Sequence, residues 1–417
     1  MFSEYYRFLN SWTKVLGHFL KTGGSWMRKR KLAGIFMSFM VAAGVMAGCN
    51  SSASSSDGEK GGTIKIGANL ELSGGVASYG QSAKEGIELA IQEINKKGID
   101  GKKLELVTVD NKSDAAEATS GALKLATQDK VSAMIGAATS TNTLAQVQIA
   151  QDNKIPLITP TATNATITYK DGKLNDFVFR TCFIDPFQGT VAANFATNDL
   201  KVKSAAVLID NSSDYSKGLA ASFKKSFKAN GGKIVAEEAY VAKDTDFHAT
   251  LTRIKAANPD YVFLPGFYEE VGLIVKQARE IGLNVPIMGG DGWDSPKLVD
   301  IAGAASLQNT YITNHYSSGD SDKKVQDFVS AFKAKYNGKS PDAFGALGYD
   351  TVYFLADAIK RAGSSDPQKI QKALEATDGL QLVSGKVKLD KHHDPIKAAV
   401  ILEYVNGQQQ YKTKVNP

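Results

Sequence analysis

The stretch VSAMIGAATSTNTLAQVQIAQDNKIPLITP, residues 131–160, decides the fold. VSAMIGA is a short apolar run of strand character. LAQVQIAQDN is helical in pattern, and IPLITP is a second apolar run. Two buried strands joined through a helix make a parallel crossover unit. The same alternation extends in both directions. Upstream lie TIKIGAN, AKEGIELAIQEIN, KKLELVTVD and AAEATSGALKLATQD. Downstream lie SAAVLID, KGLAASFKKSFKAN, GKIVAEEAY, FHATLTRIKAAN, YVFLPG, EEVGLIVKQAREIGL and VPIMGG. Strand and helix in regular turn specify parallel sheets covered by helices on both faces.

Late in the chain come the helical segments KKVQDFVSAFKAKY, FGALGYDTVYFLADAIKRAG and PQKIQKALEAT, then GKVKLD and AAVILEYV, which read as a closing pair of strands. The pattern breaks at Phe183–Pro186, at Asn314–Tyr316 and at Lys391–Pro395. With roughly 355 residues after the N-terminal segments, two lobes are expected. The three breaks predict three crossings between two doubly wound parallel-sheet lobes. The expected lobes are 63–183 plus 315–390 and 184–314 plus 391–417.

The N-terminal residues predict where the chain works. Arg28-Lys29-Arg30-Lys31 precedes an uncharged apolar run, Leu32 to Met46, and then Ala47-Gly48-Cys49. A basic head, a short apolar core and small residues form a secretory signal. The expected signal is 1–48, or 27–48 if Met27 is the true start. The Ala-Gly-Cys run resembles a lipobox, which makes Cys49 the expected lipidation site and membrane anchor. The Ser/Gly-rich tract 49–62 then serves as a tether. Removing the seven basic residues and one acid before Cys49 from 49 Lys+Arg and 43 Asp+Glu leaves 42 of each sign. A balanced mature chain gives no electrostatic case for nucleic acid.

Enzymatic signatures are absent. The sequence has no GxGxxG or GxxxxGK phosphate loop, no GxSxG elbow, no HExxH and no CxxC. Cys182, alone once Cys49 is lipidated, reads as a small buried side chain. His392-His393-Asp394 reads as a solvated loop or hinge, so no metal and no cofactor are expected.

In open α/β sheets, ligands sit beyond the carboxyl ends of the strands. Two hydroxyl-rich strand ends qualify, Ala138–Thr143 and Thr159–Thr163. Free N–H groups at a helix start suit a carboxylate, although such residues serve equally well as ordinary caps. Asp291, between Gly290 and Gly292 at another strand end, can meet an ammonium group or hydrogen-bond its own turn. Tyr79, Tyr215 and Phe267 lie at similar turns and can wall an aliphatic side chain.

Taken together, IKIGANLELSGGVASYGQSAKEGIELAIQEIN, MIGAATSTNTLAQVQIAQDNKIPLITPTATN, FRTCFIDPFQG, LIDNSSDYSKGLAASF, VFLPGFYEEVGLIVKQAREIGL and IMGGDGW resemble the leucine/isoleucine/valine-binding proteins of ABC importers. The resemblance runs from Thr63 through the mature chain. It implies a type I periplasmic-binding-protein fold that captures an amino acid and delivers it to a permease and its ATPase. Ser140, Thr161 and Thr163 would hold the α-carboxylate, with Thr163 and the Thr161 backbone also reaching the ammonium. Asp291 would take the ammonium, and Tyr79, Tyr215, Phe267 and Phe344 would line the side-chain pocket. Two departures are visible. The cysteine pair common in Gram-negative members, near Ser113 and Thr139, is missing, and position 291 carries Asp where the best-known members have Glu. A monomer is expected. Sensors or binders of amides, urea or short peptides on the same fold remain the alternative.

Overall fold

The computed structural model describes residues 62–417. The expected signal, Cys49 and all but the last residue of the tether lie outside the described residues.

The first lobe opens with β1 (Thr63–Leu70), α1 (Ala77–Lys97), β2 (Lys103–Asp110), α2 (Ala115–Lys124), β3 (Ala133–Gly136), α3 (Ser140–Asn153), β4 (Leu157–Thr159) and β5 (Val178–Arg180). Its five strands pair in the order β2-β1-β3-β4-β5, all parallel. β1 shows why this sequence makes a central strand. Thr63 and Lys65 are exposed while Ile64 and Ile66 are buried, and every residue from Ile66 to Leu70 is buried. The strand alternates at its start and becomes continuously buried where helices cover both faces.

The chain then crosses to the second lobe. There follow α4 (Asp185–Asn194), β6 (Ser204–Asp210), α5 (Asp214–Ala229), β7 (Lys233–Tyr240), α6 (His248–Ala256), β8 (Tyr261–Phe263), α7 (Tyr268–Glu280), β9 (Ile287–Gly289), α8 (Pro296–Ala302) and β10 (Thr310–Asn314). A second crossing returns it to the first lobe for α9 (Lys323–Lys335), α10 (Ala343–Ala362) and α11 (Pro367–Glu375). The first-lobe core joins Ile66, Ile87 and Ile135 to Leu355, Ile359 and Leu374 from these late helices. Helices α1 and α10 touch backbone to backbone, because a side chain on Gly86 would run into the Gly345 carbonyl.

A third crossing leads to β11 (Ala399–Val405) and β12 (Gln408–Val415). They extend the second sheet, whose order is β12-β11-β10-β9-β8-β6-β7. Both added strands run antiparallel and the rest are parallel. The expected closing pair is corrected here. GKVK, Gly385–Lys388, forms a separate hairpin with Asp378–Leu382, and AVILEYV pairs with QQQYKTKV instead. Asn406 and Gly407, with φ of 50° and 75°, make the turn between them. Positive φ at both central positions is what Asn-Gly offers a two-residue hairpin.

The crossings are tied by buried charge. Arg180, fully buried at the end of β5, pairs with Asp394 of the third crossing at 2.8 Å. It also donates to the carbonyls of Ala162 and Asn164, both at 2.9 Å. Lys397 Nζ donates to the Thr181 carbonyl at 3.0 Å and to Ser384 Oγ at 2.6 Å. Burial pushes the Lys397 ammonium down to about 8, with Asp350 pulling it back up. A buried ion pair with its remaining hydrogen bonds filled resists rearrangement, since losing one partner strands the other.

Candidate functional site

The strand ends of both lobes face one another across a closed cleft. On the first-lobe side, β3 stops at Gly136 and α3 starts at Ser140. The N–H groups between them were expected to be open to a ligand, and two of them are engaged. Glu71, fully buried just past β1, accepts from Ala138 N at 2.9 Å, Thr139 N at 3.0 Å, Thr139 Oγ1 at 2.7 Å and Asn142 Nδ2 at 3.0 Å. An internal carboxylate therefore satisfies the approach to this helix, as a ligand anion would elsewhere. The sequence reading missed Glu71, whose signal is an acid inside the otherwise apolar run from β1.

The hydroxyls divide. Ser140 Oγ accepts from Asn164 N at 3.2 Å, and Thr161 Oγ1 donates to the Ala138 carbonyl at 2.7 Å. Both residues line the cleft cavity. Thr163 is buried without lining it, and its Oγ1 has no hydrogen-bond partner. Nearby Asp185 also has both carboxyl oxygens buried without a partner. Burial pushes its carboxyl up to about 8, and the Thr163 hydroxyl, close but outside hydrogen-bond geometry, pulls the other way.

On the second-lobe side, Asp291 opens a single 3₁₀ turn after β9. Tyr215 OH donates to its Oδ1 at 2.9 Å and Gln188 Nε2 to the same oxygen at 2.7 Å. His315 Nε2 lies 3.0 Å from Oδ2. The flanking glycine is a matter of room rather than of backbone strain. A Cβ on Gly290 would press on Tyr215 OH and Gln188 Nε2, the two donors that reach Asp291.

Tyr79 bridges the lobes. Its hydroxyl donates to the Gly292 carbonyl and accepts from Tyr268 N at 3.2 Å. Its ring stacks on Phe344 at 4.1 Å between centroids and meets Phe267 edge-on at 5.7 Å. Phe267 stacks on Tyr215 at 5.3 Å. Further cross-cleft bonds join Ser78 to Ser295 at 2.7 Å and Asn164 Nδ2 to the Asp214 carbonyl at 2.7 Å.

Tyr79, Ser140, Thr161, Tyr215, Phe267, Asp291 and Phe344 thus surround one cavity with about 230 Å³ of atom-free space. The rings close so far that the space left is room for about one water. A solute of amino-acid size enters only as the lobes part and the rings shift. A wider groove, with about 1530 Å³ of atom-free space, runs past Glu93, Phe328, Tyr349 and Tyr353. It lies about 21 Å along α1 from Tyr79 at the helical rise, and its walls come from the first lobe alone, so closure cannot act on it.

The sequence model of the family described as periplasmic binding protein matches residues 63–409. The chain belongs to the periplasmic binding protein family. Among its relatives, the leucine-, isoleucine-, valine-, threonine- and alanine-binding protein of Pseudomonas aeruginosa is 34% identical over 333 residues, covering 80% of this chain and 87% of that one. The leucine-binding protein LivK of Thermotoga maritima has a similar crystal structure, with TM-score 0.81, 38% identity and coverage of 85% and 99%. LivJ of Streptococcus pneumoniae, solved with isoleucine, gives TM-score 0.80, 41% identity and coverage of 85% and 100%. The type I fold with two lobes and three crossings follows from these likenesses and from the sheets. This binding protein works outside the cytoplasm, as a solute-binding component of an ABC importer.

Proposed function

We propose that the protein captures a branched-chain or small aliphatic amino acid and releases it to its permease, held at the membrane by lipid on Cys49. One observation carries the ligand class. Hydroxyls of the first lobe, Ser140 and Thr161, and a carboxylate of the second, Asp291, face one small cavity walled by Tyr79, Tyr215, Phe267 and Phe344. The relatives named above bind leucine, isoleucine, valine, threonine and alanine in one case, leucine in the second, and isoleucine in the third. The ligand's carboxylate lies against Ser140 and Thr161, its ammonium against Asp291, and its side chain among the rings. Thr163, off the cavity wall, joins the grip only as the cleft rearranges around a ligand. With lobe boundaries at 63–183 plus 315–390 and 184–314 plus 391–417, the bonds Tyr79–Gly292, Tyr79–Tyr268, Ser78–Ser295 and Asn164–Asp214 run between the two bodies.

Burying both ends of a zwitterion is costly unless each is fully hydrogen-bonded. Both charges are therefore required, and side-chain length is read weakly, at about 1–3 kcal/mol per methylene. Titration calorimetry with leucine, alanine, isocaproate and isopentylamine tests this. The two amino acids bind, and the analogues lacking one charge bind about 10⁴-fold more weakly. Equal binding of isocaproate and leucine refutes the grip. Binding of amides or short peptides in place of free amino acids moves the protein to the alternative class.

A further inference from the structure

His315 lies one residue beyond β10, on the second crossing, with its side chain buried. Its ring stacks on Phe183 of the first crossing, at 3.7 Å between centroids and 26° between planes. The edge of the ring carries Nε2 to within 3.0 Å of Asp291 Oδ2, on the side of the carboxylate away from Gln188 and Tyr215, which both bond Oδ1. The other ring nitrogen, Nδ1, is buried without a hydrogen-bond partner. An ionised carboxylate only accepts, so Nε2 bears the hydrogen and Nδ1 is the site for a second proton.

We infer that His315 is a positioning residue for Asp291, and that its second proton competes with the ligand's ammonium for that carboxylate, so affinity falls as the medium is acidified. The inference rests on the reading that Asp291 receives the ammonium. The neutral ring fixes the rotamer of Asp291 and leaves its negative charge to the ligand. The protonated ring is a second cation on the same carboxylate, and ring and ligand then repel. Linkage makes the effect mutual: whatever factor the proton takes from ligand affinity, the ligand takes from proton affinity. The surroundings poise the ring for this. Burial holds its pKa below the ordinary imidazole value, Asp291 and Asp294 pull it up, and Lys397 of the third crossing pushes it down. Asp185, facing the same buried region from the first crossing, carries the other carboxyl near Asp291.

The test is titration calorimetry with leucine between about pH 5 and pH 8. In the wild type, the dissociation constant rises up to about tenfold per unit of pH lost at the acid end. His315→Gln carries a non-titrating amide donor to the same carboxylate. It keeps neutral-pH affinity within about threefold and shows a flattened profile. His315→Phe keeps the stack on Phe183, loses the donor, and binds more weakly at every pH with the same flattened profile. Asp185, Asp294 and Lys397 remain in both variants, so the slope removed belongs to His315. A wild-type slope in both variants, or a flat wild-type profile, overturns the inference. Asp291→Asn at neutral pH separates the two levels. If it binds leucine as the wild type does, the site reading itself fails; if it loses leucine while both His315 variants keep the slope, only the present inference fails.

Discussion

The hydroxyl of Tyr79, on the first lobe, donates to the backbone carbonyl of Gly292, on the second, while accepting from Tyr268 N. One side-chain oxygen thus satisfies two buried backbone groups of the opposite lobe, and it can do so only in the closed form. Tyr79→Phe keeps the stack on Phe344 and leaves both backbone groups unpaired on closure. An unmade buried hydrogen bond costs about 1–3 kcal/mol. The variant therefore folds normally and binds leucine about five- to a hundredfold more weakly in calorimetry, with the loss in the closing equilibrium.

Gly290→Ala tests why a glycine precedes the acid. The added methyl displaces Tyr215 OH and Gln188 Nε2, the donors to Asp291 Oδ1. With φ near −103° at this residue, alanine meets no backbone penalty. The methyl also presses on the buried Leu219 side chain, so thermal stability falls by about 1–3 kcal/mol, while leucine affinity falls by about tenfold or more, the worth of one misplaced charged hydrogen bond.

Glu71→Gln replaces one carboxylate oxygen by an amide nitrogen and so removes an acceptor. Both oxygens of Glu71 take backbone or side-chain donors around Ala138, Thr139 and Asn142. The amide must turn an N–H toward an N–H. Hydrogen bonds to a charged group contribute about 1.5–3 kcal/mol each, so urea unfolding should show a loss of about 2–4 kcal/mol.

Asp185 predicts how stability depends on pH. Its carboxyl titrates at about 8 in the folded protein, from an ordinary value of 3.8. Between those two values the folded state holds a proton that the unfolded chain releases, so Asp185 lowers stability progressively as pH rises across this window. Above it the cost is constant. Asp185→Asn removes it. The gain in melting temperature over wild type should be near zero at the acid end, grow through neutrality, and level off above about pH 8. A gain independent of pH would assign the effect to packing.

Much of this was legible in the chain. The strand–helix alternation depends on nearest-neighbour chemistry, so residues 131–160 sufficed to fix the parallel crossover. The aromatic and acidic strand-end residues were legible because a cleft at the carboxyl ends of strands must be lined by loops. What escaped depends on distant pairing. Glu71 looks like a surface acid until α3 is folded against it. Gln188, on α4, and His315, on the second crossing, are far apart in the chain and meet only at Asp291. The partner of AVILEYV was misassigned because GKVKLD offered a nearer strand, although Asn406-Gly407 carried the turn signal. Thr163, which the resemblance makes a carboxylate ligand, shares a hydroxyl-rich run with Thr161 yet lies off the cavity wall, a difference two residues of loop suffice to make.

The hold that Glu71 keeps on the start of α3 has a kinetic consequence. The receiving face of the first lobe is assembled before any solute arrives, and no ordering of that loop delays encounter. Arrival rates should then be nearly alike for different amino acids. Preference among them would be expressed in how long each remains, set by the shutting of Tyr79 and Asp291 over it.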